Sequence, residues 1–368
     1  MSPTKITTEL PTYEYPSETQ EQLDWADLEA LDISKIDDPA GLKELAEQVL
    51  RFINKNGFFY VTGHGFTDEE VRRQYAIAKA VFELPLEEKL KYSCDTANGD
   101  FRGYKPQSTG ELATRDNDER YNIPKFTPEH ERPHPQIIID HLDEIKEFSL
   151  ASFPSSALER VSPTNAPSPA AQKIHNTLLL PLLRLFAHVL ELPDADHFVR
   201  RHRYSEPGLE YLRYMLYHPT AAADRAVWAR GHTDYNTLTF LFHQPVAGLQ
   251  VLTPSGAWKH VRSPRDAVIV NIADALEFLS GGYLRSTVHR VVRPPADQLR
   301  AQGDRGRLSL IYFARPEKNV VLKPVDSPLL RRIGVQRGGG RSADEGFSQE
   351  VTAEGEERRS DLAPKLGA

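Results

Sequence analysis

The chain has 368 residues and a formal net charge of −7 with both signs interspersed, so its electrostatics do not favour nucleic acid or an anionic membrane as a partner. Its length allows one large β-rich domain or two ordinary ones, and small neutral or cationic molecules stay open as substrates. Cys94 is the only cysteine, which excludes an internal disulfide and a thiolate zinc cluster. The sequence shows neither the apolar core of a signal peptide nor an apolar run long enough to span a membrane, and we expect a cytoplasmic protein.

Strand and helix patterns alternate in the N-terminal part of the chain. Residues 1–22 are polar and dotted with proline, which predicts an N-terminus that is flexible or draped on the surface. The segment 28–36 and the apolar run 58–65 predict strands. Between them, Asp38 followed by Pro39 predicts the start of a helix.

The next helix pattern begins with Thr67 and Glu70, which have the spacing of a capping box. Residues 98–135 are rich in Gly, Arg, Asn and Pro, a composition that predicts an irregular segment that is either functional or disordered. Two long helical patterns follow at about 136–152 and 170–190. We expect these helices to pack against a sheet.

From Tyr211 onward the chain consists of short β segments separated by turns. They are YLRYMLYHP, TLTFLFHQP, AGLQVLTPSG, AWKHVRSP, DAVIVNIAD, STVHRVVRP and RLSLIYFARP. Such a succession predicts a barrel or jelly roll, and the polar, Gly-rich end of the chain predicts disorder. We therefore divide the chain into a flexible N-terminus, a helical and mixed region that packs on the core, a jelly-roll core and a disordered tail, at 1–22, 23–205, 206–327 and 328–368.

A histidine and a carboxylate lie two residues apart in GHTDYNTLTFLF. In extended backbone alternate side chains share a face, so His232 and Asp234 would be able to bind one cation together. The chain holds a second His-X-Asp at His141 and Asp143, but its surroundings predict a helix, where residues two apart do not face each other. The strand context, more than the spacing, makes His232 and Asp234 the candidate metal ligands.

A third ligand is expected from the β-rich part of the chain. His289 lies among β-branched residues in STVHRVV, whereas His243 adjoins a turn and His260 lies between basic residues, so we favour His289. Arg307 and Ser309 are alternate residues of RLSLIYF, a strand whose other positions are apolar or aromatic. A guanidinium beside a hydroxyl is a good receptor for one carboxylate, and an arginine in such a strand needs an anion.

Two histidines and a carboxylate that leave coordination positions open are typical of non-haem Fe(II) oxygenases. The segments INKNGFFYVTGHGF, FELPLEEKLKY, HTDYNTLTFLF, GLQVL, VIVNIADALEFLSGGYLRSTVHRV and RLSLIYF resemble, in kind and order, those of the iron and 2-oxoglutarate dependent dioxygenases of the isopenicillin N synthase-like group. The resemblance covers most of the chain. It implies a mainly β fold with flanking helices, built on a double-stranded β-helix (jelly-roll) core with an N-terminal helical cap.

The resemblance also implies roles for single residues. His232, Asp234 and His289 would bind Fe(II), and Arg307 with Ser309 would bind the distal carboxylate of 2-oxoglutarate. Tyr217 would hold the same carboxylate, although proline more often follows that tyrosine directly in the family. Asn271, Asp274 and Ser286 are expected to support the ligands or the fold.

The implied reaction is oxidation of a C–H bond of a small organic molecule of secondary metabolism by O2, with release of succinate and CO2 from 2-oxoglutarate. We predict substrate contacts at Arg102, Tyr104, Arg120, Tyr121, Asn122, Phe240 and Phe278. Two other functions stay open: an oxidase of the same fold that uses no 2-oxoglutarate, and a barrel that binds a metal or ligand without catalysis.

Overall fold

Two β-sheets form the body of the protein. The computed structural model describes residues 10–53, 56–108, 117–149, 173–219, 226–302, 306–334 and 341–342. An eight-stranded sheet has the order β1-β2-β10-β7-β12-β5-β4-β3, a four-stranded sheet has the order β6-β11-β8-β9, and β13 pairs with β14. The strands are β1 (Ala30–Asp32), β2 (Phe58–Thr62), β3 (Gly103–Lys105), β4 (Asp118–Pro124), β5 (Tyr211–Tyr217), β6 (Val227–His232), β7 (Leu238–Leu241), β8 (Leu249–Leu252), β9 (Trp258–His260), β10 (Val268–Ile272), β11 (His289–Val292), β12 (Arg307–Ala314), β13 (Val321–Leu322) and β14 (Arg341–Ser342).

The described segments contain nine α-helices. Those at 39–52, 68–83 and 180–189 enclose the main hydrophobic core with the outer face of the larger sheet, whereas the helix at 296–302 packs through Leu299 against the cluster between the sheets. The nine helices are α1 (Pro39–Phe52), α2 (Asp68–Glu83), α3 (Leu86–Leu90), α4 (Gln136–Asp140), α5 (Leu142–Ser149), α6 (Leu180–Val189), α7 (Asp274–Leu279), α8 (Ala296–Gln302) and α9 (Pro328–Arg332). The predicted caps are confirmed: Asp38 accepts from the Gly41 N–H, and Thr67 and Glu70 form both bonds of a capping box. None of the helices in the described segments is long and apolar enough to cross a membrane.

The opposite face of the larger sheet looks toward the smaller sheet, and we call it the inner face. In the antiparallel pair of β5 and β12, Arg307 lies opposite Tyr217 and Ser309 lies opposite Met215. Because alternate strand residues share a face, these four side chains point the same way. Tyr217 and Met215 pack against three residues of the smaller sheet, Trp228, Ala229 and Val291. The inner face therefore lines the space between the two sheets.

The N-terminal arm, residues 10–22, lies against the protein body. Tyr13 stacks on Tyr75 of α2 with a centroid separation of 5.0 Å. The hydroxyl of Thr19 donates to the Asp297 carboxylate over 2.8 Å, and the side-chain amide of Gln298 donates to the Ser17 carbonyl over 2.9 Å. Residues 10–22 therefore contact helices α2 and α8, through the Tyr13 ring, the Ser17 carbonyl and the Thr19 hydroxyl.

The segment 98–135 contains more regular structure than its composition predicts. Strand β3 pairs with β4, and β4 pairs along its full length with β5. Strand β6 was also absent from the predicted set. Pairing with a long neighbouring strand stabilises such segments whatever their local propensity.

The proposed domain limits run across elements of the structure. Strands β1 to β4, from the region expected to pack on the core, are part of the larger sheet itself. Helix α9 begins at Pro328 with a side-chain cap from Ser327 and buries Leu329 and Leu330, so the predicted disordered tail starts with an ordered turn of helix. The mainly β fold with flanking helices is confirmed; the limits of its parts stay a prediction.

Candidate metal centre

His232, Asp234 and His289 converge between the two sheets. His232 ends β6, His289 begins β11, and the two residues are opposite each other in register. Nε2 of His232 lies 3.8 Å from Oδ1 of Asp234, and Nε2 of His289 lies 3.8 Å from Oδ2. One donor atom from each residue lies within 4.8 Å of the others. Two nitrogens and a carboxylate oxygen are therefore close enough to share one ion.

His232 and Asp234 lie on either side of the end of a strand. Strand β6 ends at His232, and Asp234 belongs to the turn before β7. The backbone carbonyl of Asp234 accepts from the Asp274 N–H over 2.8 Å, which anchors this turn to the start of α7. The Asp234 side chain is therefore placed by a connecting segment that is tied to the start of α7.

The second His-X-Asp pair behaves differently, as expected from its helical surroundings. His141 separates α4 from α5 and its Nδ1 lies 2.8 Å from the Glu144 carboxylate. In the described part of the chain, His232, Asp234 and His289 are the one group of three potential ligands that lie close together.

Both candidate histidines are held in the tautomer that a metal ligand needs. Nδ1 of His232 lies 2.8 Å from the Arg230 carbonyl oxygen, and Nδ1 of His289 lies 3.2 Å from that of Thr287. A carbonyl oxygen only accepts, so each Nδ1 carries the proton and each Nε2 keeps its lone pair. Burial, with His232 nearby, lowers the pKa of His289 to about 4, which keeps this ring neutral at physiological pH.

The Asp234 carboxylate is oriented by two hydrogen bonds. Its Oδ2 accepts from the Thr239 hydroxyl over 2.7 Å and from the Asn271 side-chain amide over 3.0 Å. Burial would raise the pKa of Asp234, but the two imidazoles and these hydrogen bonds hold it below its ordinary value. The group is therefore an ionised carboxylate beside two imidazoles, and Asn271 contacts it directly.

Arg307, Ser309 and Tyr217 form a second polar cluster on the inner face. Nη1 of Arg307 donates to the Ser309 hydroxyl over 2.7 Å, and Nε donates to the Val246 carbonyl over 3.0 Å. The Tyr217 ring centroid lies 5.8 Å from Cζ of Arg307. Arg307 is only 4% exposed, and no carboxylate of a described residue pairs with it. A buried guanidinium of this kind is stabilised by an incoming anion.

Two of the seven predicted substrate contacts lie on the inner face. Asn122 is opposite Arg213 and Arg120 is opposite Met215 in the pairing of β4 with β5. The side chain of Arg120 makes two hydrogen bonds, of 2.6 and 3.1 Å, to the Asp118 carboxylate.

The other five predicted contacts are placed elsewhere. The side chains of Tyr104, Tyr121 and Phe240 point to the other face of the larger sheet, where they are part of the core beneath the helices. Arg102 donates to the Asp100 carboxylate and lies beside the His130 ring. Phe278 on α7 is 40% exposed. None of these five side chains lies on the inner face.

Thr239, Trp228 and Arg213 were not among the residues predicted from the sequence. Thr239 follows Asp234 by five residues in the same run, and Trp228 stacks on Tyr217 with a centroid separation of 6.2 Å. Arg213 lies at alternate spacing from Tyr217 in YLRYMLY. Arg213, like Arg307, is a charged residue in an otherwise apolar strand. That pattern in the sequence indicates both residues.

Comparison with known proteins identifies the family. The model described as non-haem dioxygenase in morphine synthesis N-terminal matches residues 27–141, and that of the 2OG-Fe(II) oxygenase superfamily matches residues 208–316. The 2-oxoglutarate-dependent dioxygenase frbH of Dothideomycetidae sp. is 31% identical over 312 residues, which are 83% of this chain and 87% of the relative. The chain belongs to the 2OG-Fe(II) oxygenase superfamily. The family and the enzyme class expected from the sequence are thereby confirmed.

Other relatives and solved structures agree with this assignment. Leucoanthocyanidin dioxygenase 2 of Oryza sativa subsp. japonica is 27% identical to this oxygenase over 84% of this chain and 77% of the relative. Full-length Neurospora crassa T7H in complex with alpha-KG and thymine has a TM-score of 0.70 at 23% identity, over 89% of this chain and 97% of that chain. JOX2 in complex with 2OG, Fe and JA has a TM-score of 0.66 at 20% identity, over 89% of this chain and 86% of that chain. The double-stranded β-helix fold is confirmed.

As a member of this superfamily the oxygenase uses Fe(II), 2-oxoglutarate and O2, and its residues fit the first two. Two imidazole nitrogens with free lone pairs and one ionised carboxylate are a donor set that suits Fe(II) and leaves positions open. The Arg307 guanidinium, buried without an anion among the described residues, suits the distal carboxylate of 2-oxoglutarate.

Proposed function

We propose that this oxygenase oxidises a C–H bond of a small organic molecule, with His232, Asp234 and His289 as ligands of Fe(II). Arg307 and Ser309, with Tyr217 beside them, would hold the distal carboxylate of 2-oxoglutarate. The observation that carries the proposal is the arrangement of two polar clusters in one interior space. One offers two lone-pair nitrogens and a carboxylate, and the other offers a buried guanidinium.

The bound iron and 2-oxoglutarate would supply oxygen activation coupled to decarboxylation, which gives succinate and CO2. The chain's own contribution is position and exclusion of water. The backbone carbonyls that accept from Nδ1 fix both imidazole rings, and Thr239 with Asn271 fixes the Asp234 carboxylate. The stacked pair of Tyr217 and Trp228 covers the site from the side of the smaller sheet.

The metal ligands are tested by alanine variants. In His232→Ala and Asp234→Ala, we expect substrate-dependent succinate formation to be lost while the circular dichroism spectrum stays that of the folded protein. Asp143→Ala, which alters the exposed carboxylate of the second His-X-Asp, is the matched control and should form succinate as the wild type does. Undiminished turnover in both of the first two variants would contradict the assignment.

A screen of candidate metabolites for succinate release identifies the substrate class and tests the need for 2-oxoglutarate. Substrate oxidation with oxygen uptake but without any requirement for 2-oxoglutarate would place the chain among same-fold oxidases. Binding of Fe(II) without oxygen uptake for any metabolite would favour the non-catalytic barrel.

A cytoplasmic location and a substrate of secondary metabolism are part of the same proposal. The first is supported by the single Cys94, since a chain with one cysteine does not depend on an oxidising compartment for its folding. The second is supported by relatives such as the dioxygenases frbH and gloE. Cell fractionation and the metabolite screen test them.

A further inference from the structure

Arg213 is a buried arginine on the inner face that neither proposed cluster uses. It lies in the middle of β5, opposite Asn122 of β4 and opposite Ile311 of β12. Strand alternation gives it the same orientation as Tyr217, four residues further on. Arg213 is 8% exposed, so most of its surface is withdrawn from water.

The guanidinium of Arg213 is held by neutral groups. Nε donates to the Asn122 side-chain oxygen over 2.8 Å, and Nη2 donates to the Tyr211 hydroxyl over 3.1 Å. Cζ lies 4.7 Å from the ring centroid of Phe313 and 5.1 Å from that of Tyr211. These contacts fix the plane of the guanidinium and leave Nη1 without an acceptor among the described residues.

Among the described residues, no carboxylate forms an ion pair with Arg213. Asp118, on the same face of β4, is fully buried, but its two oxygens already accept from Arg120. Lys105 of β3 lies opposite Arg120 and adds another cation to this part of the inner face. Burial lowers the pKa of Arg213, whereas the nearby carboxylates of Asp118 and Asp234 act to raise it. A buried cation of this kind is unfavourable unless an anion joins it.

Arg213 is near the metal ligands and apart from the co-substrate receptor. Phe313, on which its guanidinium lies, is opposite Thr239 of β7, and Thr239 donates to Asp234. The receptor residue Tyr217 is four residues along the same strand, which corresponds to roughly 13 Å at about 3.3 Å per residue. A molecule bound to Arg213 would thus lie beside the metal centre without using Arg307.

We propose that Arg213, oriented by Asn122, binds a carboxylate of the substrate, so that the oxygenase acts on an organic acid. This inference rests on the proposed function, since it assigns the substrate class of the same site. It differs from the neutral or cationic substrate that the negative net charge of the chain had left open. The local charge on the inner face decides recognition, and the overall charge does not.

Calorimetric titrations of the enzyme loaded with Fe(II) and 2-oxoglutarate under nitrogen test the inference. The probes are benzoate, phenylacetate and cinnamate, each compared with its primary amide, which keeps the shape and removes the charge. Wild-type enzyme should bind at least one acid between about tenfold and about a hundredfold more tightly than its amide, the contribution of a charge-assisted contact. If it binds none of the three acids more tightly than the amide, the inference is wrong.

Variants assign the preference to Arg213. Arg213→Met should abolish the difference between acid and amide, and its affinity for the acid should fall by a larger factor than its affinity for 2-oxoglutarate. Arg213→Lys, which keeps the charge and remains informative if the methionine variant does not fold, should retain a reduced preference. An equal loss of affinity for 2-oxoglutarate and for the acid would place Arg213 in the co-substrate site and contradict the inference.

Arg290→Met is the matched control. The Nε of Arg290 also donates to a side-chain amide oxygen, that of Gln250, and its Cζ lies 4.1 Å from the Trp258 ring centroid. Because Arg290 follows His289 directly in a strand, its side chain faces away from the site. This variant should keep the wild-type preference. Succinate formation by wild-type enzyme in the metabolite screen reports on the proposed function separately, so failure of one proposal is distinguishable from failure of the other.

Discussion

The hydrogen bond from Thr239 to Asp234 offers a sharp test of how the iron site is held. Thr239→Val keeps the shape of the side chain and removes the hydroxyl that donates to Oδ2 over 2.7 Å. The Asn271 amide still donates to the same oxygen over 3.0 Å, so the carboxylate loses one of two bonds. Loss of such supporting partners weakens metal binding by about 10- to 100-fold. Because one partner remains, we expect about a tenfold weaker affinity for Fe(II), near the lower end of that range.

The cost to the fold should be small. The Thr239 hydroxyl also accepts from the Asn236 side-chain amide over 3.0 Å, but that amide keeps a second acceptor in the Leu238 carbonyl. A single hydrogen bond of this kind contributes about 1 kcal/mol to the free energy of unfolding. The variant should therefore remain folded while its iron affinity falls.

Anaerobic titration with Fe(II), and succinate formation measured against Fe(II) concentration, give the affinity. Thr237→Val is the control: this threonine, two residues earlier, forms its hydrogen bond with Nε2 of His202 over 2.7 Å and does not contact Asp234. It should lower stability and leave iron affinity unchanged. Wild-type affinity in Thr239→Val, or an equal loss in both variants, would refute the reasoning.

Three further outcomes are expected. Arg307→Lys keeps the charge but not the planar fork, so the KM for 2-oxoglutarate should rise at least about tenfold while the Fe(II) requirement changes less; equal changes would argue against its role. Gly57→Ala would place a Cβ 1.8 Å from the Arg285 carbonyl oxygen and should lower the free energy of unfolding by more than about 2 kcal/mol. Gly256→Ala has open space around its Cβ and should lower it by about 1 kcal/mol. Chemical denaturation measures both values. Burial would raise the pKa of Glu119, but hydrogen bonds from its neighbours hold it below its ordinary value, so its contribution to stability is present at neutral pH and lost as the pH falls through the folded-state pKa. Glu119→Gln should flatten the loss of stability in acid, and an unchanged pH profile would exclude that contribution.

The sequence predicted best those features that depend on neighbouring residues. The caps at Asp38 and Thr67 follow from side chains three residues from the groups they satisfy. The pairing of Arg307 with Ser309 follows from strand alternation alone. Both kinds of pattern are local, and the structure retains them.

Strands that depend on pairing with segments far away in the sequence were not predictable from local patterns. Strand β3 has three residues and exists because β4 lies beside it, and β4 in turn follows β5. Tyr121 and Asn122 are adjacent in sequence but face opposite sides of the sheet, and both sides of that strand are covered. Where both faces are buried, composition does not tell which side chain faces the site.

Gln298 links the N-terminal arm to the loop next to Arg307, which bears on how this enzyme is prepared. Its side-chain amide donates to the carbonyls of Ser17 and Pro245, and its oxygen accepts from the Ala247 N–H. The carbonyl between those two loop residues, that of Val246, accepts from Arg307. One glutamine thus joins the arm to the loop that orients the co-substrate receptor. Recombinant versions that lack the segment around Ser17 would differ in apparent affinity for 2-oxoglutarate while every residue of the inner face is unchanged.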